Sequence, residues 1–570
     1  MSSISSAALY AGEAIATGPK GEIANAALIE QTRRLEKRLY RSGPSIWTAV
    51  GHGMSNAILI DAPEGMLVVD TGEGLEEAQE HIDAFAGALT KPVRAVLYSH
   101  SHYAHGTPSW QARQKEPLEI WGHASMARIM TDTATEVGPA YTRRARVQFS
   151  YYLPDDGPDA MPNQGIGLTF FHRDRPTTRR HVPPDHIVHE ECTVRIAGTT
   201  VHFVPAPSDS DDTVIIHLPE HDAVVNNHLW PALFNIYTLR GEAYRDPLGL
   251  IDGLDRIRGM DPEHLVGAHG PPISGRARVR EALADYRDSI QFLWDQTVRG
   301  INAGLPMEEI VARVRLPKHL AESPWVRPHY GEAAFHVRAI HTGVLGWFDM
   351  DCARLHPLPP DEEARRMLAG FGGAQAMYAQ AVEAADQGEW SWAIQLATYL
   401  MRADEGDASA RSLKARALRG LAQATPAANT RSVCLTEART LEGGPDPMVA
   451  SAWRANRFQV MNAPPPRFVR ALRVQLDPER AAHADVALQV RFTDRDAVCA
   501  LHIKCGVARF IDGPLEGAAL HLDTTLAAWA DLYTGRRSLA QAAADGDARA
   551  VPGVTEVAAF FEYFDHVRVA

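Results

Sequence analysis

Residues 24 to 42 carry a charged amphipathic pattern that predicts a helix. From there to about 275 short apolar runs alternate with helical stretches. Asn56 to Asp61, a Pro63-Glu64-Gly65 turn and Met66 to Asp70 predict a hairpin. A helix is expected over 74 to 89. Val93 to Tyr98, preceded by Pro92, reads as a buried strand that runs straight into His100-Ser101-His102-Tyr103-Ala104-His105-Gly106. The stretch 153 to 187 is rich in Pro, Gly and Asp and predicts a long loop. Strands return at Cys192 to Ile196, Thr200 to Val204, Val214 to Leu218 and Ala223 to Val225.

From about 277 to 440 the pattern is helical. Ala374 to Leu418 places Gly388-Glu389-Trp390 between two Ala-rich stretches, like one tetratricopeptide-type unit. Such a unit buries its apolar face only against further helices or a second subunit. Pro464-Pro465-Pro466 predicts a linker. Beyond it Val486, Leu488, Val490 and Phe492 alternate as a half-buried strand does. Ala497 to Lys504 and Val507 to Ile511 predict further strands, and helices are expected over 524 to 533 and 555 to 565. This is a small α+β domain.

Length adds a domain count: at roughly 150 residues per domain, 570 residues make three or four. Apolar residues at 45% and charged residues at 22% exclude a disordered, collagen-like or coiled-coil chain. A net charge of −13 argues against a general nucleic-acid binder, which needs a surplus of Lys and Arg. The five cysteines are widely spaced with no CxxC pair, as expected of reduced thiols in a cytoplasmic protein. Met1 to Lys20 lacks the basic start and apolar core of a secretion signal. No apolar run reaches the ~18 residues of a membrane span.

The chemistry enters with the histidines, 25 in all. HxH directly after a buried strand lets two imidazoles converge on one cation, and His105 three residues on serves a neighbouring position. Further ligands are expected at later strand ends. Asp209, Asp211 and Asp212 follow the strand ending at Val204. Asn227 and His228 follow Val225, and His269 follows Leu265-Val266-Gly267-Ala268.

His100-Ser101-His102-Tyr103-Ala104-His105 after a strand, with Leu67-Val68-Val69-Asp70-Thr71-Gly72 upstream, resembles the metallo-β-lactamase superfamily. Within it the chain is most similar to the alkyl sulfatases. Thr238-Leu239-Arg240-Gly241 with Arg245-Asp246, Tyr330-Gly331 running to His336 and Arg338, Leu345-Gly346-Trp347-Phe348-Asp349, Leu355-His356-Pro357-Leu358-Pro359-Pro360 and Asp386-Gln387-Gly388-Glu389-Trp390 carry that likeness. Leu522-Asp523-Thr524 to Phe560-Phe561-Glu562-Tyr563-Phe564 resembles a sterol-carrier domain. The resemblance implies an α/β fold in three parts: a metallo-β-lactamase αββα sandwich over 1–275, a helical dimerisation domain over 276–445 and a sterol-carrier-like α+β domain over 446–570.

It also implies a ligand set. The first metal position falls on His100, His102 and Asp209, with Asp211 or Asp212 as alternatives if the register slips. The second falls on His105 and His269, with Ala104 where the family has Asp. Asn227 stands where the alkyl sulfatases have a bridging Glu. With two carboxylates missing, one or two zinc ions are expected, one favoured and held with an open position. His105 and His269 are then free for acid/base or hydrogen-bonding roles. Arg240 matches a sulfate-binding arginine, its alternative being a salt bridge with Asp246 or Glu242. Thr238 assists the anion contact, and His336 matches a histidine near the pocket, followed by Val337 where the family has Asn. Tyr103, Trp230 and Phe234 line an apolar pocket or belong to the core.

The implied activity is metal-dependent hydrolysis of a hydrophobic ester, as in an alkyl sulfatase. The alternatives are the same scaffold acting on a carboxylic ester, lactone, ether or dehydration, and a non-catalytic binding protein. The implied partners are a hydrophobic small-molecule substrate and a second copy of the chain, with no nucleic acid and no membrane span.

Overall fold

The computed structural model describes residues 14–132, 136–450 and 455–565. They form two compact units. One is Met1–Met126 with Arg144–Pro447, the other Ala127–Arg143 with Met448–Ala570.

The first unit is built on two sheets whose strands run in sequence order. Seven strands extend from Arg38–Ser42 to His186–Val188, and six from Cys192–Ile196 to Ile273–Ser274. In the first sheet the pairing turns from antiparallel to parallel at Gly65–Val69 against Val93–Leu97. The apolar runs are continuous because both faces of these strands are covered. Ile58, Ile60, Leu67, Val69 and Leu97 meet Val201, Phe203, Ile216 and Val225 between the sheets. The alternate residues Leu59, Met66, Val68 and Val96 pack outward with Ala78 and Ile82 of the helix Leu75–Ala84. On the far side Ile215, Val224 and Leu265 pack with Leu250, Leu254 and Ile257 of Pro247–Met260 and with Val279 and Leu283 of Arg276–Asn302. The order helix, sheet, sheet, helix is the αββα sandwich.

The helices continue through Ala374–Asp386, Trp390–Ala403, Ala408–Ala424 and Ala428–Leu441. The tetratricopeptide-like pair is therefore covered by further helices. A Cβ on Gly420 would stand 2.7 Å from the Trp390 ring, so the indole packs flat on that glycine.

In the second unit the sheet order is Val507–Asp512, Ala497–Lys504, Asp485–Phe492, Leu520–Thr524, Ala548–Val551. The helices Leu526–Tyr533 and Val554–Phe561 supply Trp529, Phe560 and Phe561 to its core. Among the described residues no helix is long and apolar enough to cross a membrane.

Three expectations are corrected. The helix begun near residue 24 spans only Ala26–Leu35, and Arg38–Ser42 is a strand paired with Ile46–Val50. Glu36 turns extended (ψ 157°), and ladder hydrogen bonds at the sheet edge outweigh the helical charge pattern. Pro464-Pro465-Pro466 is not the break between units. It lies inside the second and leads into the short helix Arg467–Arg470. The segment Ala127–Arg143 belongs to that unit as well, where Glu136 pairs with Arg470 and Arg473.

Candidate metal centre

The strand Val93–Leu97 ends against the histidine motif. His100 stays extended and Ser101–Tyr103 make one 3-10 turn, which sets the His100 and His102 rings edge to face with centroids 4.9 Å apart. The motif is laced to Asp70–Gly72. Thr71 N–H donates to the Tyr103 carbonyl (2.8 Å) and His105 N–H to the Gly72 carbonyl (3.1 Å). Gly72 has φ +79°, and a Cβ there would stand 2.6 Å from the Glu77 carboxylate, so glycine is required.

From the second sheet, the loop after Thr199–Pro205 brings Asp209 to the same place. His102 Nδ1 lies 3.2 Å from Asp209 Oδ2, and His100 Nε2 lies 3.9 Å from Oδ1. Their three ligand atoms lie within 4.8 Å of one another, the one such grouping among the described residues. Two imidazoles and a carboxylate are a donor set suited to a divalent transition metal. The other two aspartates point elsewhere. Asp212 accepts from Ser101 N–H (2.9 Å) and Ser210 Oγ (2.5 Å), and Asp211 is exposed.

Partners behind His100 set its tautomer. Buried Asp70 accepts from Ser99 N–H (2.8 Å) and from Ser99 Oγ (2.6 Å). With Asp70 ionised the hydroxyl proton is committed to it, and Ser99 Oγ then accepts from His100 Nδ1 at 2.8 Å. Nε2 is left unprotonated and faces Asp209, as a ligand must. Burial pushes Asp70 up to about 7, against the hydrogen bonds from Ser99. Asp70→Ala removes both acceptors. Zinc affinity, read by competition with a chromophoric chelator, is expected to fall 10- to 100-fold, the usual weight of such an outer partner, with an unchanged far-UV spectrum.

Electrostatics favour the same arrangement. Burial opposes charge on Asp209, but His100 and His102 outweigh it and hold the carboxyl well below its usual range. Burial pushes His100 down to about 4, against the pull of Asp209.

Asn227 directly follows the strand Ala223–Asn226 and is fully buried. Trp230 Nε1 donates to its Oδ1 at 2.9 Å. An indole N–H only donates, so the amide oxygen must face it. The amide nitrogen therefore faces the metal residues, 2.7 Å from Asp209 Oδ1 and 3.4 Å from His100 Nε2. An N–H donor holds no cation, and this geometry removes Asn227 from the expected ligand set. His269 and His105 also stand apart from the three. His269 Nδ1 is 2.9 Å from the Met54 carbonyl, and its Nε2 is 3.3 Å from the Tyr103 hydroxyl. His105 keeps a buried Nδ1 with no hydrogen-bond partner, beside Ala104, which offers no donor atom. Among the described residues, the grouping close enough to hold a cation is His100, His102 and Asp209.

Around this centre the expected substrate residues take definite places. Arg240 Nε donates to Glu242 Oε1 at 2.8 Å and the guanidinium lies over Phe149, 5.5 Å from the ring centre. Of its two anticipated salt bridges it makes the one to Glu242, while Asp246 caps the helix Pro247–Met260. Trp230 and Phe234 are buried and stacked at 4.1 Å, with Trp230 also 5.1 Å from the His269 ring. They wall the site as part of the core. Thr238 is buried with an unpartnered hydroxyl. His336 is fully buried on the helix Ala333–Leu345, pushed down to about 4 by burial, and no charged group of the site acts on it. The structure keeps it out of the metal cluster.

Sequence reasoning missed several neighbours. Ser99 and Asp70 position His100, Tyr330 packs on Trp230, and the Glu73–Arg179 ion pair lies beside the motif. Asp70 sits in the quoted Asp70-Thr71-Gly72 run and was within reach. Nothing local in the sequence marks Arg179, which is brought in from a loop.

Comparison with known proteins agrees with this layout. Residues 50–269 match the model of the metallo-beta-lactamase superfamily, 306–444 that of alkyl sulfatase dimerisation and 455–569 that of the alkyl sulfatase C-terminal region. A linear primary-alkylsulfatase of a Pseudomonas strain is 32% identical, over 89% of this chain and 98% of its own length. An (R)-specific secondary-alkylsulfatase of a Pseudomonas species is 29% identical, over 82% of this chain and 72% of its own. Among solved structures, the stereoselective inverting sec-alkylsulfatase Pisa1 from a Pseudomonas species superposes with a TM-score of 0.85 at 25% identity, covering 98% of this chain and 88% of its own.

Proposed function

The chain belongs to the alkyl sulfatase family of the metallo-β-lactamase superfamily, and on that premise we propose that it hydrolyses hydrophobic sulfate esters with one divalent cation, zinc, held by His100, His102 and Asp209. The observation that carries this reading is the convergence of those three side chains on one point. His100, His102 and Asp209 would hold a divalent cation, which would supply Lewis acidity and a nucleophile at neutral pH. The chain's own groups do the rest. Asp70 and Ser99 keep the His100 ring in its ligating tautomer. Asn227 holds Asp209 Oδ1 and limits its freedom. The Tyr103 hydroxyl, 3.3 Å from His269 Nε2, donates to that ring, whose Nδ1 faces the Met54 carbonyl, and so fixes its orientation. Arg240, fixed by Glu242, offers its remaining N–H groups to an anion. Trp230, Phe234 and Tyr330 exclude water from the inner wall. The sterol-carrier-like unit adds an apolar module that suits a long-chain substrate.

Release of inorganic sulfate from a long-chain alkyl sulfate tests the reading. The expected result is release with zinc, its loss on chelation and its return on adding zinc back. Zinc-dependent cleavage of a carboxylic ester or lactone with no sulfate released from any alkyl sulfate would overturn it.

We also infer a homodimer formed through the helical region. The stretch from Val344 to Leu358 carries Trp347, 66% exposed, and Met350, 79% exposed, with Leu345, Leu355 and Leu358 exposed beside them. So large an apolar patch calls for a partner surface. The double variant W347D/M350D is expected to halve the mass measured by light scattering on a sizing column, with zinc content unchanged.

A further inference from the structure

We propose that Arg179 is an anion-binding residue of this site, placed beside His105 where Ala104 and Asn227 leave no donors for a second cation. The inference rests on the single-cation hydrolase reading above and adds a second group, besides Arg240, that meets the substrate's charge.

The strap Thr177 to His181 lies across the start of the helix Leu75–Ala84 and across the histidine motif. Three pins hold it. Leu75 N–H donates to the Thr178 carbonyl (3.0 Å), Arg180 N–H donates to the His105 carbonyl (3.1 Å), and Thr178 gives its N–H and hydroxyl to Glu76 (2.7 and 2.6 Å). The strap passes so close that a Cβ on Gly74 would stand 3.1 Å from the Thr178 carbonyl oxygen. Arg179 is thus carried on fixed backbone, not on a loose loop. Its guanidinium pairs with the buried Glu73 carboxylate and lies 5.8 Å from the Phe170 ring centre.

Both ends of that pair are tied to the motif by backbone: Arg180 N–H bonds the His105 carbonyl, and Glu73 follows Gly72, whose carbonyl accepts from His105 N–H (3.1 Å). Among the three arginines paired to carboxylates here, Arg179, Arg240 and Arg245, Arg179 is the accessible one. Its side chain keeps 43% of its surface, against 14% for Arg240 and 4% for Arg245, which share Glu242. A planar guanidinium held through one nitrogen keeps a second edge for a tetrahedral oxyanion. In a dinuclear site a second cation adds to the charge that meets the anion. Here Arg179 adds to Arg240 in that role, with Glu73 as its positioning residue.

The test is calorimetric titration of the zinc-loaded full chain with a long-chain alkyl sulfonate, a non-hydrolysable anion, and with the matching neutral alcohol. Arg179→Met is expected to weaken sulfonate binding about 10- to 100-fold, the weight of a charge-assisted hydrogen bond. Arg179→Lys is expected to fall between, because it keeps charge and loses the fork, and it stands in if the Met variant misfolds. Alcohol affinity and zinc content are expected to stay at wild-type values in both. If either folded variant binds the sulfonate as the wild type does, or if the wild type binds no sulfonate, the proposal is overturned. Its failure is separable from that of the enzyme reading: sulfate release by the wild type judges the reading, and the sulfonate series judges Arg179.

Discussion

Asp209→Asn is expected to empty the metal site and to lower sulfate release at least about 1,000-fold, beyond the 10- to 100-fold weight of an outer partner. The substitution keeps the shape of the side chain and removes its charge. In the native site Asp209 is the one carboxylate that reaches both His100 and His102. It also accepts from Asn227 Nδ2, whose oxygen is committed to Trp230. An asparagine at 209 must either oppose two amide N–H groups or present its own N–H to the imidazoles, and neither orientation binds a cation. Zinc per chain and the sulfate release rate are expected to fall together while the far-UV spectrum is retained. A variant that keeps its zinc and most of its rate contradicts the assignment of Asp209.

The double substitution Ala104→Asp with Asn227→Glu is expected to add a second ion. Asp at 104 supplies a carboxylate on the turn that already carries His105. Glu at 227 replaces an N–H donor with an acceptor beside Asp209, and it still accepts from the Trp230 indole. Without metal the new carboxylates are buried close to Asp209 and repel it, so the metal-free variant is expected to unfold at lower temperature than the wild type. Zinc is expected to restore that loss, because a ligand that binds only the folded state stabilises it. Zinc per chain rising from one towards two is the measured outcome. A variant that stays at one ion contradicts the view that these two positions decide the stoichiometry.

The apolar runs of the two sheets were legible because strands covered on both faces leave no polar alternation to misread. Val93–Leu97 and the hairpin Ala57–Ala62 with Gly65–Val69 stand where the pattern places them. The strand Arg38–Ser42 was not legible, since an edge strand with exposed Arg38 and Leu39 carries no burial signal. The histidine motif announced a metal site because HxH after a strand leaves few other uses for two imidazoles. Which aspartate joins it was not decidable by counting, for Asp209 and Asp212 are three residues apart. The loop geometry, which turns Asp212 onto the Ser101 backbone, separates them. The orientation of the Asn227 amide is a tertiary fact, fixed by Trp230. Arg179 is more distant still, since its place depends on the pins that tie its strap to Glu76 and His105.

The central claim is a hydrolase built on one cation at His100, His102 and Asp209. Elemental mass spectrometry on the full chain, purified without added metal and again after zinc loading and desalting, tests it most directly. The account expects close to one transition-metal ion per chain after loading. Two ions per chain contradict the reading of Ala104 and Asn227, and none contradicts the metal centre itself.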